Sequence, residues 1–488
     1  MSSNYGKNLF REFEGALLKI DFLIEENKVL KNKVIAMEEN QKKEITQLNS
    51  KITALETENQ KLKDIINKDS GNSSKPPSSD GFKKIQNSRE KSDKKAGGQK
   101  GHTGNTLKLF ENPTKIIEYK KTVCHCGSHN IVYDVKYKAK QFVDFEIKAN
   151  IVEHRSFTGI CNDCKAVITN ELPLTNNVTY GNTIKSFSLL LSSEGIVSIG
   201  RITGMISELT NNVINLSDGT IVNWLGELGG KLNTSINKIK DDIMLCPVNH
   251  KDETGFRINN KMQWLHVLSN KDTTLYFSHM KRGNIADKSI NILPSYSGVL
   301  VHDHLKGLYN FTCEHAECNA HILRYLKAAI ESKNRNWAKE MIEFLVNANN
   351  GIKELKSVSV LGFDKDSIQN YINRYDGILE NGQDEFKNDY SKTKNYNSDD
   401  MKLLRRMKEY KTEHLRFITD FNVPFDNNLA ERDLRMIKAK SKISGCFRSD
   451  KGSKNFADIK SYTSTLKKRN KNIFHGISAA FLGEPSIC

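Results

Sequence analysis

Apolar residues in the first 68 positions recur at heptad spacing, which predicts a long helix with a narrow apolar seam. Two successive frames place Asn27 and Asn59 at a positions, and the second frame starts four residues late, an offset that locally unwinds a supercoil. The apolar members of the two frames are Ile20, Leu23, Leu30, Val34 and Met37, followed by Ile45, Leu48, Ile52, Leu55, Leu62 and Ile66. A buried Asn at an a position fixes register and favours two strands. Residues 1–68 are therefore predicted to self-associate as a coiled coil; an intramolecular hairpin, or a helix lying on the body of the protein, is the alternative.

Residues 69–113 have the composition of a linker. The run GNSSKPPSSDG is rich in Ser, Pro and Gly and does not favour regular structure. Residues 83–108 then combine many lysines with the glycines of Gly97 to Gly104. A flexible basic arm of this kind can follow DNA phosphates. A solvated linker has the same composition, so both interpretations stay open.

Strand-like alternation returns over residues 131–158, where Ile131, Tyr133 and Val135 recur at every second position. Residues 180–238 change to a helical pattern. An apolar helix begins at Phe187, and Ser217 or Asp218 is placed to cap a later one. Two short helices in this order are typical of a helix-turn-helix, and equally of a plain helical core.

From about residue 245 the pattern predicts strands. Residues 250–258 precede a turn at residues 259–261, and runs at residues 264–268 and 274–277 follow. This order predicts three consecutive antiparallel strands joined by hairpins. Residues 298–303 then form a short apolar run that ends on an acid.

Residues 315–412 are predicted to be mostly helical, with helices from Ala316 to Ser332, from Trp337 to Ala348 and from Met401 to about Leu415. A further helix is predicted from Asn455 to Arg469, before a short apolar tail.

Residues 422–442 combine a helix start with an acid and a run of cations. Asp426, Asn427 and Asn428 are good helix caps, because their side-chain oxygens accept backbone N–H groups of the first turn. On the helix that follows, a buried stripe is predicted at Ala430, Leu434 and Ile437. Glu431 lies beside this stripe in the first turn. It is suited to hold a metal ion against a phosphate backbone, or to form an ordinary surface pair with Arg435.

Composition narrows the class of protein. The 488 residues suit two to four domains, with 37% hydrophobic and 27% charged residues. A net charge of +16 favours a polyanionic partner, and nucleic acid in particular. No apolar run of about 18 residues and no apolar signal-peptide core is present, which predicts a cytoplasmic, nucleoid-associated protein without membrane contact. In that compartment the nine cysteines are thiols or metal ligands rather than disulfides.

Two cysteine pairs are spaced like zinc ligands. Cys124 and Cys126 form a CxC pair, and Cys161 and Cys164 form a CxxC pair. Two such pairs brought together by strands can bind structural Zn²⁺ in a zinc knuckle. The first pair is one residue short of the usual spacing, so His125 or His129 is an alternative ligand, and thiols without metal are the other interpretation.

Three acids have the arrangement expected of a magnesium site. Asp252 lies on a predicted strand, Asp303 ends another, and Glu431 is on a helix. Carboxylates are the ligands that Mg²⁺ and Mn²⁺ prefer, and two such ions about 3.5–4 Å apart can promote phosphoryl transfer. Carboxylates that converged without a cation would repel one another.

A collinear set of motifs resembles the transposases of the insertion sequence 66 family over nearly the whole chain. After the N-terminal zipper, the matching segments are NSSKPPSSD (72–80), GGQKGHTG (97–104), the two cysteine pairs, DETG (252–255), VHDH (301–304), CNAH (318–321) and DNNLAERDLR (426–435). The CxC pair departs from the CxxC-like pair that is usual in the family.

The resemblance implies an α/β RNase H-like core with an Asp-Asp-Glu triad at Asp252, Asp303 and Glu431, which bind Mg²⁺ or Mn²⁺. It implies a helical insertion at about residues 315–412. The domains predicted are a coiled coil (1–68), a basic linker (69–113), a zinc-binding-like domain (114–170), a helical region with a helix-turn-helix as one interpretation (171–240), the catalytic domain (241–475) and a tail (476–488).

The expected activity is cleavage of DNA at insertion-sequence ends and joining of the 3′ ends to target DNA. The alternative is a non-catalytic dimeric DNA-binding protein, a repressor or end-binding factor. DNA, a second copy of the chain and companion proteins of the same element are the expected partners. The cations expected to hold the DNA backbone are Arg432, Arg435, Lys438, Lys440, Lys442 and Arg448.

Six further residues have ordinary alternatives. Cys318 and His321 share a helix face and either support the acids or simply pack. His302 and His304 flank Asp303 and are expected to contact DNA or be exposed. The aromatic side chains of Trp224 and Trp264 are expected to be core rather than base-stacking platforms.

Overall fold

The computed structural model describes residues 3–66, 68–69, 71–73, 108–174, 176–390 and 398–487. The first segment is a single helix, α1 (Ser3–Ile66), so the predicted long helix is confirmed. Its heptad side chains are exposed, with Leu48 at 50% and Leu55 at 64%. Most of the basic linker, including the motifs at residues 74–80 and 97–104, lies outside the described residues.

Residues 108–174 form little regular structure. A two-stranded antiparallel pair joins β1 (Thr158–Ile160) to β2 (Val167–Thr169). The strands predicted over residues 131–157 are absent from the described chain. The prediction was wrong because alternation does not ensure burial: Val132 and Val135 are 94% and 93% exposed, with no partner strand or second layer against them.

A five-stranded sheet lies at the centre of the chain. Its strands are β3 (Val248–Ile258), β4 (Lys261–Ser269), β5 (Thr274–His279), β6 (Val299–His302) and β7 (Glu314–Glu317), in the spatial order β5-β4-β3-β6-β7. The first three pair antiparallel, as predicted, and β6 and β7 run parallel to β3. Asn259 and Asn260 both have positive φ, the geometry of a tight two-residue hairpin. Residues 314–317 are a strand, so the helix predicted from Ala316 begins later.

Helices cover both faces of this sheet. The helices before the sheet are α2 (Asn182–Ser193), α3 (Ile199–Leu209), α4 (Asp218–Lys231) and α5 (Asn233–Leu245), and α6 (Asn284–Ser289) lies between β5 and β6. Those after the sheet are α7 (Asn319–Lys333), α8 (Asn336–Ser357), α9 (Lys365–Tyr390), α10 (Asp399–Glu409), α11 (Lys411–Thr419), α12 (Asn428–Ser444), α13 (Asp450–Lys468) and α14 (Ile473–Phe481). The predicted apolar tail thus contains part of a helix, α14, whose Ile477 and Phe481 are buried in the core.

Among the described residues, the packing on the sheet includes two larger apolar cores and a smaller cluster of Val299, Val301, Ala316 and Val423. On one face, α2 to α5, α13 and α14 pack on side chains such as Leu268 and Leu300. On the other face, Phe256 and Ile258 of β3 meet α12. The stripe predicted on α12 is confirmed, since Ala430, Leu434 and Ile437 are all 2% exposed or less. This packing fixes α12, and the acid in its first turn, against β3.

The predicted helix-turn-helix region contributes to the first core. Ile202 and Ile221 are fully buried there, and Trp224 packs edge-on against Tyr180. The connection between α3 and α4 covers residues 210–217, longer than the three- or four-residue turn of that motif. The structure therefore favours the helical-core interpretation.

The chain divides into two compact units. One comprises residues 1–85, 323–342 and 381–403; within it, the Arg335 side chain is 2.8 Å from Asp400 and lies over the Phe386 ring. The other comprises residues 86–322, 343–380 and 404–488 and contains the sheet and every residue of the site described below. Among the described helices, none is both long and apolar enough to cross a membrane.

Candidate active site

Three polar side chains form a row across neighbouring strands: Asp252 lies within β3, and Asp303 and Cys318 come directly after the last residues of β6 and β7. The ladder between β3 and β6 pairs His250 with Val301, so Asp252 and Asp303 occupy the same position two residues further along. The ladder between β6 and β7 pairs His302 with Glu317, so Cys318 follows in the same row. Adjacent strands lie about 4.8 Å apart, so this register alone brings the two acids together.

Glu431 reaches the row from the first turn of α12. His321, in the first turn of α7, lies between the acids: its Nδ1 is 3.3 Å from Asp303 Oδ1 and 3.9 Å from Glu431 Oε1. The side chains of Asp303 and Glu431 are 27% and 21% exposed, so both remain open to solvent. Among the described residues, Glu431 forms no ion pair with Arg435, and the surface-pair interpretation is not borne out.

Asn427 connects the acids to the strands beneath them. Its side chain is fully buried; Oδ1 is 2.9 Å from His250 Nδ1, and Nδ2 donates to the Lys251 carbonyl at 2.9 Å and to Asp303 Oδ1 at 3.5 Å. The expected side-chain cap is therefore absent at Asn427. Asp426 Oδ1 accepts from the Asn428 N–H instead, at 3.0 Å. The sequence marked Asn427 only as a helix start.

The clustering perturbs the acids electrostatically. Burial, together with the neighbouring charge of Asp303, raises the pKa of Asp252 to about 7. Burial also opposes ionisation of Asp303, but hydrogen bonds from His321 and Asn427 outweigh it and lower the pKa of that carboxyl. Burial and the Asp303 charge raise the pKa of the Cys318 thiol well above its usual value. Asp252 thus tends to hold a proton beside the ionised Asp303, and a bound cation could take the place of that proton.

The donor set fits a divalent cation. Asp252, Asp303 and Glu431 supply carboxylate oxygens, the ligands of Mg²⁺ and Mn²⁺. In the described ranges, the one group of three or more such residues whose donor atoms all lie within 4.8 Å of one another is Asp303, Cys318 and His321; the three acids together do not form such a group. Nitrogen and sulfur in that group suit a softer ion.

A buried ionic network holds β3 from the opposite face. Lys251 and Glu253, on either side of Asp252, point away from the acids; Lys251 Nζ is 3.3 Å from Asp287 Oδ1, and Glu253 Oε2 is 3.2 Å from His266 Nδ1. Burial opposes ionisation of Glu253, but His266, Lys251 and Arg282 together lower its pKa to about 2. Asp252 therefore lies between two anchored neighbours.

The histidines beside Asp303 are not exposed, contrary to expectation. His302 is 1% exposed, and burial lowers its pKa to about 3. His304 adopts a left-handed backbone (φ +49°), rare for a residue other than Gly, and hydrogen-bonds Glu317. Tyr309 Oη and an Arg406 nitrogen each lie 2.5 Å from the same carboxylate. The segment after Asp303 is thus fixed by Glu317, a buried acid that was not predicted from the sequence. Glu317 lies on β7 opposite His302.

The predicted DNA-binding cations separate into two kinds. Arg432, Arg435, Lys438, Lys442 and Arg448 are exposed. Lys440 is only 8% exposed and lies over the Phe456 ring, 6.0 Å from its centre. The prediction that Lys440 is one of the DNA-contacting cations was wrong. The helical period of 3.6 residues puts position 440 on the same side of α12 as Ile437, towards the sheet. Trp264 is half-buried under Arg282, and Trp224 is core.

Each predicted zinc pair lies on a tight turn. The Gly127 N–H donates to the Cys124 carbonyl and the Lys165 N–H to the Cys161 carbonyl, both at 2.9 Å, with positive φ at Gly127 and Lys165. Hydrogen bonds from Cys126 and from Cys164 lower the pKa of Cys124 and Cys161, respectively. The described residues do not gather the two pairs into one group of ligands. Zinc binding stays a prediction.

Comparison with protein families places the site within a known group. The model of the transposase IS66 family matches residues 179–455, more than half of the chain, and includes all three acids. A family of unknown function (DUF6444) matches residues 24–108, which cover most of α1 and the basic linker. No curated protein matches the chain.

Proposed function

The chain belongs to the IS66 family of transposases, and from this we propose that it is a metal-dependent DNA transposase, which cleaves at insertion-sequence ends and joins the 3′ ends to target DNA. The observation that carries the proposal is the register of β3 and β6. It sets Asp252 beside Asp303 on two inner strands of the sheet, close enough to Glu431 for the charge of that residue to act on Asp252. The assignment of these acids as an Asp-Asp-Glu triad is part of the proposal.

The strand order supports an RNase H-like core. Three antiparallel strands are followed by two parallel ones on the far side of β3. A ligand site is expected at the carboxyl ends of the strands where the order reverses, and here that point lies between β3 and β6. The helices between β7 and α12 would be the insertion.

Asp252, Asp303 and Glu431 would hold Mg²⁺ or Mn²⁺. Such an ion supplies charge stabilisation to the phosphoryl group in transfer. The chain's own part is to present three carboxylates at fixed spacing and to keep Asp303 ionised through His321 and Asn427. Water would cleave the phosphodiester at the element end, and the freed 3′-hydroxyl would then attack a target phosphodiester and displace its 3′-oxygen. Neither step needs a covalent enzyme–DNA intermediate.

The exposed face of α12 would carry the DNA backbone to the acids. Arg432, Arg435, Lys438 and Lys442 lie on the same helix as Glu431, and all four are exposed. Cations contact phosphate rather than base edges in most complexes, so these residues would orient the DNA without reading its sequence. The regions proposed to read the ends are the cysteine-bearing segment, the basic linker and the exposed surface of residues 196–229.

Self-association through α1 would bring two element ends into one complex. The exposed heptad side chains of α1 are an apolar seam that a second copy would bury. Companion proteins of the same element are further partners that we propose for the complex.

Cleavage of labelled duplex carrying the element's ends, with Mg²⁺ or Mn²⁺, tests this function. Glu431→Gln should abolish cutting and retain DNA binding, whereas Glu314→Gln, at an exposed position, should retain both. Cutting that persists in Asp252→Ala would contradict the triad. Tight binding without cutting by the wild-type protein, with companion proteins supplied, would favour the non-catalytic DNA-binding protein.

A further inference from the structure

We propose that Asn427 is a positioning residue that sets the spacing of the three acids, and that His250 fixes the orientation of its amide. This inference rests on the proposed metal site. Asn427 carries no charge. It stands at the start of α12, but its side chain does not cap that helix.

Besides its hydrogen bond with His250, Asn427 makes four hydrogen bonds at the site, and the one from Glu431 is the first backbone bond of α12. Its amide nitrogen donates to the Lys251 carbonyl, next to Asp252, and to Asp303 Oδ1. Its backbone N–H donates to Cys318 Sγ at 3.2 Å, and its backbone carbonyl accepts from the Glu431 N–H at 3.3 Å. Each of the elements that carry an acid therefore has a bond to this one residue.

The partners dictate how the amide is oriented. Both the Lys251 carbonyl and Asp303 Oδ1 are acceptors, so the –NH₂ group must face them and the amide oxygen must face His250. His250 Nδ1 must then carry a proton in order to donate. Since His250 is 7% exposed and lies on β3 two residues before Asp252, it prevents the amide from flipping.

Asn427→Asp tests the role of the amide because it replaces the side-chain –NH₂ group with an oxygen and leaves the shape of the side chain nearly the same. The –NH₂ donor becomes an oxygen that faces the Lys251 carbonyl and Asp303, so two attractive contacts turn repulsive. The backbone bonds to Cys318 and Glu431 are unchanged in kind. If Asn427 sets the spacing of the acids, binding of a cation at the acids must weaken even before DNA is present.

The experiment measures Mn²⁺ binding to the full chain by electron paramagnetic resonance of free Mn²⁺, without DNA, counting only the site lost in Asp252→Asn. The Mn²⁺ dissociation constant of Asn427→Asp should rise at least tenfold. His250→Phe should raise it less, and the double variant should be no weaker than Asn427→Asp alone, because both act through one amide. Asn428→Asp adds the same charge one residue away and should leave Mn²⁺ affinity within twofold.

Wild-type Mn²⁺ affinity in folded Asn427→Asp would overturn the proposal, as would an equal loss in Asn428→Asp. If Asn427→Asp does not fold, Asn427→Ser and His250→Phe decide by the same measurement, with thermal unfolding as the check on folding. Where DNA is cut, the Mn²⁺ concentration for half-maximal rate should shift with the dissociation constant. If the wild type binds Mn²⁺ but never cuts DNA, the proposed function fails and the binding data still decide the role of Asn427.

Discussion

Asp252 and Asp303 occupy the same register position on two neighbouring parallel strands, two residues past the last pair of their ladder. The proximity of their backbone positions is thus set by the register of the two strands. Burial and this neighbouring charge raise the pKa of Asp252 to about 7. The metal-free edge therefore retains a proton near neutral pH where a cation would replace it.

Metal binding should depend on pH because this proton must leave. The pKa of Asp252 lies above its ordinary value, so below pH 7 a growing fraction is protonated. The Mn²⁺ dissociation constant is expected to rise about tenfold per pH unit below that point and to level off above it. Titration calorimetry from pH 5.5 to 8.5 measures this. A pH-independent constant would show that Asp252 is already ionised.

Asp252→Asn should stabilise the metal-free protein at alkaline pH. Because the folded-state pKa is the higher one, the favourable contribution of Asp252 is present below pH 4 and is lost as pH rises through 7. The variant avoids this loss, so its free energy of unfolding at pH 8 in EDTA should exceed the wild-type value by as much as roughly 4 kcal/mol. Urea unfolding at pH 4 and 8 tests it, with the exposed Asp241→Asn as control. A variant less stable at both pH values would contradict the sign.

The sequence predicted the acids and their strands but not what holds them. Asp252 was visible as an acid on a predicted strand, Asp303 as the acid that ends an apolar run, and Glu431 as the acid beside a helical stripe, and the family resemblance grouped the three. Asn427 and Glu317 were missed because their roles depend on partners far along the chain, as when Glu317 meets Arg406. Local periodicity carries no information about such contacts. It also overestimated structure at residues 131–157, where the described residues provide no second layer that buries the alternating face.

Glu317→Gln should destabilise the protein far more than Glu314→Gln, although both residues lie on β7. Burial alone would raise the pKa of Glu317, but the His304 hydrogen bond and the Arg406 charge hold it well below the usual range. Removing one partner of a buried pair costs about 3–5 kcal/mol. Glu314 pairs with Arg416 at 59% exposure, where a pair contributes about 0–1 kcal/mol. Chemical denaturation of both variants measures the difference, and equal losses would remove Glu317 from its anchoring role.

Charged residues placed in the apolar seam of α1 should prevent two copies of the chain from associating. Leu48→Glu with Leu55→Glu puts like charges at d positions, where a second copy would bury them. Gln47→Glu with Ala54→Glu adds the same charge one residue earlier, outside the seam. Sedimentation velocity should show a monomer for the first pair and the wild-type assembly for the second. If both pairs leave the mass unchanged, α1 does not mediate self-association.

Lys438 and Lys440 lie two residues apart on α12, but substitution by Met should weaken DNA binding only at Lys438. Lys438 is exposed on the helix that bears Glu431, so Lys438→Met should weaken DNA binding and lower the salt dependence by about one phosphate contact, a slope change of ~0.9. Lys440 is buried over Phe456, so we expect its ammonium group to make no phosphate contact. Lys440→Met keeps the apolar stem and should preserve both DNA affinity and salt slope, whereas Lys440→Ala should cost about 1–3 kcal/mol of stability through lost packing. Fluorescence anisotropy at 50–200 mM salt separates the two lysines. A salt slope that falls for Lys440→Met and not for Lys438→Met would mean that DNA approaches α12 from the side of the sheet, and the proposed path of the backbone to Glu431 would be wrong.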